Sequence, residues 1–465
     1  MHGIPVVMVW YGNWGGNHVN KNLKWCSLAG VLLATLVVAA PAQAPKYDLL
    51  LKGGHVIDPA NKIDALMDVA VTAGKIAAVR QNIPAQDARK VVDVGGLYVT
   101  PGLIDMHAHA GQGRSTSRPY FPMEMYFASG VTTVVDVGTW GAKDFHLMKQ
   151  NIIDASQVRV LAFLNIVDVG MGDDREQDIR EMDPQLCADT VKKYRDVLVG
   201  VKTAHYWTGK PWDKEHPPWT AVDRAVEAGN LAGVPVMVDF WPRPPERPYD
   251  ELILRKLRPG DIHTHVFAQQ FPVIDENGKV NPILYQARKR GVFFDLGHGA
   301  GSFWFRNAVP AIKQGFIPDT ISTDLHMANV NGPVVDFITT LSKIMAIGVP
   351  LQDAIRRATM NPAGIIHRPE LGTLTVGRDA DIAVLELRKG RFGYADCGRA
   401  KIVGDVKVEN RMTVRAGRIV FDPAGITMVE WEKAPKQYFT TPKLQGVDPP
   451  ATAEPDYARP KTPNP

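Results

Sequence analysis

The sequence predicts an α/β chain built on a (β/α)8 TIM barrel, with a small composite β-sandwich domain formed by both flanks. Three observations carry this. Short apolar runs alternate with longer helix-like stretches over roughly 260 residues, the usual size of such a barrel. Polar residues of types rarely found in strand cores sit at the C-terminal ends of these runs, where this architecture places its functional groups. A turn-rich strand texture precedes the alternating region and returns after it.

The chain opens on a targeting pattern. Lys21 and Lys24 precede an apolar stretch from Leu28 to Ala40, and an Ala-Gln-Ala site ends at Ala44. Positive residues, a short apolar run and small residues at the end predict a signal peptide over 1–44 and a secreted or periplasmic protein. An uncleaved anchor is the alternative, but the apolar run is shorter than the roughly 20 residues a membrane-spanning helix needs. No stable membrane anchor is expected. Cleavage near Ala44 removes Cys26 and leaves Cys187 and Cys397, too few for a disulfide framework.

From Tyr47 to Leu97, "LLLKGGHVIDP", "DVAVTAGKIAAV" and "KVVDVGG" are runs broken by turn residues, too short for helices. The first part of the β domain therefore spans 47–98. Its second part, 368–425, contains "GTLTVGRDADIAVLEL" and "VKVENRMTVRAGRIVFDP". The barrel occupies 99–367. Its eight candidate strands are "LIDMHAH", "VTTVVDVG", "RVLAFLN", "LVGVKTA", "PVMVDF", "DIHTHVF", "VFFDLGH" and "TISTDLH". Segments such as "AVDRAVEAGNLAG" and "LYQARKRG" supply the helices. Residues 426–465 are Pro-rich and without apolar periodicity, which predicts an extended tail. A net charge of +4 over 465 residues, with no basic run, excludes a nucleic-acid or anionic-membrane footprint. Homo-oligomerisation stays open.

The strand ends carry the chemistry. His107 and His109 lie two apart on a strand, so both imidazoles can face one way and share a metal. A lone H-x-H is weak alone and gains weight from the other strands. Lys202 ends the fourth run. A buried lysine is costly unless its charge is removed or paired. Near divalent cations its amine shifts toward the neutral form, which can take up CO2 as a two-oxygen carbamate. A lysine reaching out to solvent is the alternative. His263 and His265 mark the sixth run. His298 and Gly299 lie in the flexible "GHGAGSF" turn, where backbone and imidazole could place a substrate. Asp324, after the eighth run, has the chemistry of a metal ligand and proton carrier; a helix N-cap is the plainer role.

"VTPGLIDMHAH" resembles the first barrel strand of the amidohydrolase superfamily, and "ATMNPAGIIHRPELGTLTVGRDADIAVLE" its return to the β domain. "LRPGDIHTHVF", "GVFFDLGHGAGSF" and "GFIPDTISTDLH" look like the deacetylase-like branch related to dihydroorotases. The resemblance runs from about Tyr47 to Asp422. It implies a binuclear centre, usually Zn2+, with Mn2+ or another divalent ion the alternative. His107 and His109 would hold the more buried ion and His265 the more exposed one. The carbamate of Lys202 would bridge, and Asp324 would be ligand and catalytic proton shuttle. The fifth run departs from the pattern: the family ends it "PVMVH", whereas this chain has Asp239. A carboxylate can still bind the ion. His263 would then support Asp239 from behind as its hydrogen-bond partner.

The expected function is hydrolysis of an amide or ester bond in a small acylated substrate by a metal-bound hydroxide, as in deacetylases and aminoacylases. A cyclic amidohydrolase of the dihydroorotase or hydantoinase kind is the first alternative. A binding paralogue that has lost its metal is an alternative of another class.

Overall fold

The computed structural model describes residues 44–111 and 123–439. The segment predicted as a signal peptide, residue 44 apart, lies outside them, as does the predicted tail beyond 439. Between 428 and 439 Met428, Val429, Trp431, Tyr438 and Phe439 are exposed. Among the described residues no helix is long and apolar enough to cross a membrane.

The N-terminal flank forms β1 (Tyr47–Asp58), β2 (Ile63–Thr72), β3 (Lys75–Arg80), β4 (Ala88–Asp93) and β5 (Tyr98–Pro101). The alternating region supplies β6 (Leu103–Ala108), β7 (Val131–Gly141), β8 (Arg159–Asn165) and β9 (Leu198–Thr203). It continues with β10 (Val236–Val238), β11 (Ile262–His263) and β12 (Phe293–Phe294). The C-terminal flank adds β13 (Ile382–Ala395), β14 (Lys401–Arg415) and β15 (Arg418–Phe421).

Both flanks share one eight-stranded sheet in the order β15-β14-β13-β5-β1-β2-β3, with β4 also on β1. The seam is antiparallel pairing of β5 with β13, which sets Val99 opposite Val384. Hydrogen bonding thus joins the strands of the flanking domain, expected as a β-sandwich, into a single sheet. Its strands form one hydrogen-bonded sheet that branches at β1, because β1 pairs β4 along its first half and β5 along its second. The sheet has its own apolar cluster, including Leu51, Val56, Val69, Val99, Ile382, Val384 and Met412.

The second sheet is a curled, parallel array in the order β12-β11-β10-β9-β8-β7-β6. Every residue of β6 and β9 is buried, as a parallel strand covered on both faces requires. Along β8, Val160, Ala162 and Leu164 join one apolar cluster and Leu161 and Phe163 another, so alternate side chains serve the two faces. The intervening helices start and stop on local chemistry. Asp183 caps Pro184–Lys193 by accepting from the backbone of Gln185 and Leu186, and Pro184 takes the first-turn position that needs no N–H donor. Thr220–Ala232 ends at Gly233, whose φ of 67° is the left-handed conformation of a helix stop.

The segment after residue 319 makes no regular strand. It pairs at two isolated parallel bridges, Asp295 with Thr320 and Ala108 with Leu325. Its backbone bonds reach both neighbours: His298 N donates to Ser322 O at 3.2 Å, and His109 N to Leu325 O at 3.1 Å.

Candidate metal centre

The ends of the parallel strands converge on a buried group of imidazoles and carboxylates. His107, His265 and Asp324 each offer a ligand atom, and these atoms lie within 4.8 Å of one another. Asp324 Oδ1 lies 3.0 Å from His109 Nε2 and 3.7 Å from His107 Nε2. Two ligands of a tetrahedral ion with bonds of roughly 2.0–2.1 Å stand about 3.4 Å apart. The observed separations straddle that edge.

The second ring nitrogen of each histidine is already used. His107 Nδ1 sits 2.7 Å from Thr264 Oγ1 and 3.1 Å from Asp295 Oδ2. His109 Nδ1 lies 2.7 Å from Thr139 Oγ1. His265 Nδ1 donates to Gly297 O at 2.6 Å. A histidine tethered at Nδ1 presents Nε2 as its lone pair, the arrangement that supports metal ligation. These residues fit a divalent ion.

Asp295 ties the strand ends together. It accepts hydrogen bonds from Thr264, Thr320 and Ser322 and contacts His107. Burial opposes its ionisation, yet the contact with His107 and the bonds from Thr320 and Ser322 hold its carboxyl below the ordinary range. Burial drives the His107 imidazole down to about 4, with help from the charge of Lys202, and thus favours the neutral form a metal needs. Burial also works against ionisation of Asp324, but the His109 hydrogen bond and the surrounding imidazoles hold it well below the usual carboxylate range.

Backbone geometry at the centre is strained. His265 and Asp324 have φ values of 59° and 51°, a left-handed region that side chains with a Cβ rarely occupy. Glycines make the close approach between strand ends. A Cβ on Gly297 would stand 2.5 Å from Thr264 Oγ1 and 2.7 Å from His265 Nδ1. One on Gly299, whose φ is 59°, would stand 2.7 Å from Asp324 Oδ2. Gly299→Ala should therefore displace Asp324 and cost about 1–3 kcal/mol of stability. A thermal unfolding midpoint within error of the parent would contradict this.

Lys202 is 1% exposed, so its ammonium does not reach out to solvent. Its charge acts on both His107 and Asp239. Asp239 Oδ2 is 3.6 Å from His265 Nε2. Burial opposes its ionisation, while the charges of His265, His205 and Lys202 hold its carboxyl below the usual range.

Two expectations need correction. His263 does not support Asp239: both its ring nitrogens are without a hydrogen-bond partner, and the ring packs edge-on to Tyr249, Phe271 and Phe294. Burial pushes its imidazole down to about 3, so it stays neutral in an aromatic pocket. His298 does not face a substrate. It is wholly buried, with Nδ1 on Gly299 O at 3.0 Å and Nε2 on Lys343 Nζ at 2.6 Å. Lys343 also donates to Pro333 O at 2.7 Å, so this pair braces the turn from behind. Of the two predicted substrate contacts, Gly299 alone lies against a candidate ligand.

Sequence reasoning passed over Thr139, Thr264, Asp295 and His205. The signal for Asp295 was a carboxylate inside the apolar run "VFFDLGH". His205 follows β9, with Nε2 3.6 Å from Asp239 Oδ2 and Nδ1 3.3 Å from Glu176 Oε2. Beyond it lies a cleft of about 640 Å³ lined by Gln177, Arg180, Trp207 and Lys210. Trp207 stacks on His216 there at 3.5 Å. Trp212 instead packs under the Arg243 guanidinium, and Trp219 against Phe240. Among the described residues, Cys187 and Cys397 are free thiols.

The model of the amidohydrolase family matches residues 305–420. A deacetylase of Brucella anthropi is 32% identical over 357 residues, which cover 75% of this chain and 85% of that protein. Among solved structures, an adenine deaminase superposes with a TM-score of 0.73 at 29% identity, covering 81% of this chain and all of that one. A dihydroorotase superposes at 0.67 and 29%, covering 80% and 99%. By these matches the chain belongs to the amidohydrolase family, as a deacetylase-like hydrolase of carbon–nitrogen bonds.

Proposed function

We propose that the chain is a metal-dependent hydrolase that releases the acyl group of a small N-acylated or O-acylated compound. The observation that carries this is the set of Nε2 atoms of His107, His109 and His265 around Asp324, each ring tethered at Nδ1. We further infer that the parallel sheet closes as a (β/α)8 barrel through the 320–325 segment, supported by its bridges to both β6 and the β12 neighbourhood.

Divalent ions, when bound, supply a water acidified toward neutrality and a polarised acyl oxygen. His107, His109 and Asp324 would hold one ion, for which Zn2+ suits the nitrogen and oxygen donors. Lys202, as a carbamate, would bridge to a second. The protein's own part in the reaction is proton traffic. Asp324 is half-buried and held in its ionised form beside the imidazoles, so it would take the proton of the attacking water and pass it to the leaving nitrogen or oxygen. Gly299, lacking a Cβ, lets the turn lie close against Asp324 Oδ2 without displacing it. The cleft is bordered by Trp207, two residues past His205, and its size would suit a small substrate. We also propose export, on residues 21–44 alone, and N-terminal sequencing of recovered protein should begin near Pro45.

A panel of N-acetyl amino acids, acyl esters, cyclic amides and aminopurines tests the substrate class. Turnover of acylated compounds with none of cyclic amides or aminopurines is expected. Preferential ring opening or deamination would overturn the deacylase assignment.

A further inference from the structure

We propose that His205, together with Asp239 and His265, forms the ligand set of the second divalent-ion position, so that β9 supplies the imidazole missing from β10. The proposal rests on the hydrolase reading above. In register, Val238 of β10 pairs Thr203 of β9, and Asp239 N donates to Thr203 O at 3.1 Å. Asp239 and His205 therefore leave adjacent strands side by side.

The distances favour an ion over a hydrogen-bonded triad. Asp239 Oδ2 lies 3.6 Å from the Nε2 of His205 and 3.6 Å from the Nε2 of His265. That exceeds the 2.7–3.2 Å range of an N–H···O hydrogen bond. It is close to the edge of about 3.4 Å between two ligands of one tetrahedral ion.

His205 is also held as a ligand would be. Its Nδ1 is turned to Glu176 Oε2 at 3.3 Å, and Glu176 is buried. A carboxylate behind the imidazole leaves Nε2 for the ion and raises its basicity. The backbone of His205 is left-handed at φ 57°, matching the strained backbone of His265 on the opposite side of Asp239. Gln177 pins the turn by donating to His205 O at 3.2 Å and accepting from Trp207 N at 2.6 Å. The His205 side chain is 41% exposed, which sets this position on the solvent side of the buried His107–His109 group. Asp239 would then be an anionic centre between two imidazoles.

The test is metal content per chain of purified holoprotein after dialysis, measured for the parent and four variants, with the absorption spectrum of the cobalt-loaded forms as a second readout. The parent should hold about two ions. His205→Ala should hold one and lose part of the cobalt spectrum. Glu176→Gln keeps the shape of the site and should weaken the second ion about 10–100-fold. Asp239→His should keep two, and adding it to His205→Ala should restore the second ion. Equal metal content and spectra in the parent, His205→Ala and Glu176→Gln would overturn this proposal while leaving the hydrolase reading intact. A parent that holds no ion would overturn both.

Discussion

Lys202→Ala is expected to lose at least one bound ion and to lower kcat/KM by about 10²–10³-fold or more, the scale of removing a charge-stabilising group from a reaction centre. Lys202 ends β9 with all its strand neighbours buried, and its own exposure is 1%. A lysine with solvent access would keep its charge at little cost. Here the charge is enclosed with two imidazoles and a carboxylate, and a carbamate would replace it with a ligand of opposite sign. Gly138 fits against its stem: a Cβ there would stand 2.7 Å from Lys202 Cγ. The alanine variant leaves space along this wall, so acetate or propionate added at high concentration should restore part of the metal content and rate. A variant with full metal content and full rate would remove Lys202 from the centre.

Asp324→Asn should lower kcat by about 10²–10⁴-fold, the usual contribution of a positioned proton carrier. The asparagine keeps volume and hydrogen-bond reach but cannot take a proton. KM should change far less than kcat, because the lost contact matters in the transition state. The helix-cap alternative makes a different forecast. As a cap, asparagine is as good as aspartate, so rate and stability would both stay near the parent. The structure adds a reason to expect the larger effect: Asp324 faces His109 and His107, and its backbone is strained at φ 51°.

How much of this was legible in sequence depended on whether a feature was local. The apolar runs named for strands from "LIDMHAH" to "VFFDLGH" overlap β6 to β12, because burial on both faces of a parallel strand writes itself as a short continuous run. The last run, "TISTDLH", forms only isolated bridges, since Asp324 and its neighbours bend to bring the carboxylate to the histidines. His107, His109 and His265 were legible as well. Their tethers were not: Thr139, Thr264 and Asp295 are ordinary polar residues until tertiary structure sets them behind an imidazole, as it sets Glu176 behind His205. His263 misled for the same reason. Spacing of two put it on the His265 face, but His265 lies past the end of β11 in a left-handed conformation, which breaks the strand alternation. The branch of the flanking sheet at β1 was hidden too, because parallel pairing with two successive partners leaves no mark on one strand's pattern.

On the proposed function, His107, His109, His265 and Asp324 act through divalent metal. The most direct measurement strips the purified chain with a chelator and follows hydrolysis of an active acyl substrate while Zn2+ or Mn2+ is titrated back. The expected result is loss of nearly all activity on stripping and its return as ions bind, saturating at about two per chain. A stripped chain, verified metal-free by elemental analysis, that still turns over at the parent rate would contradict the account.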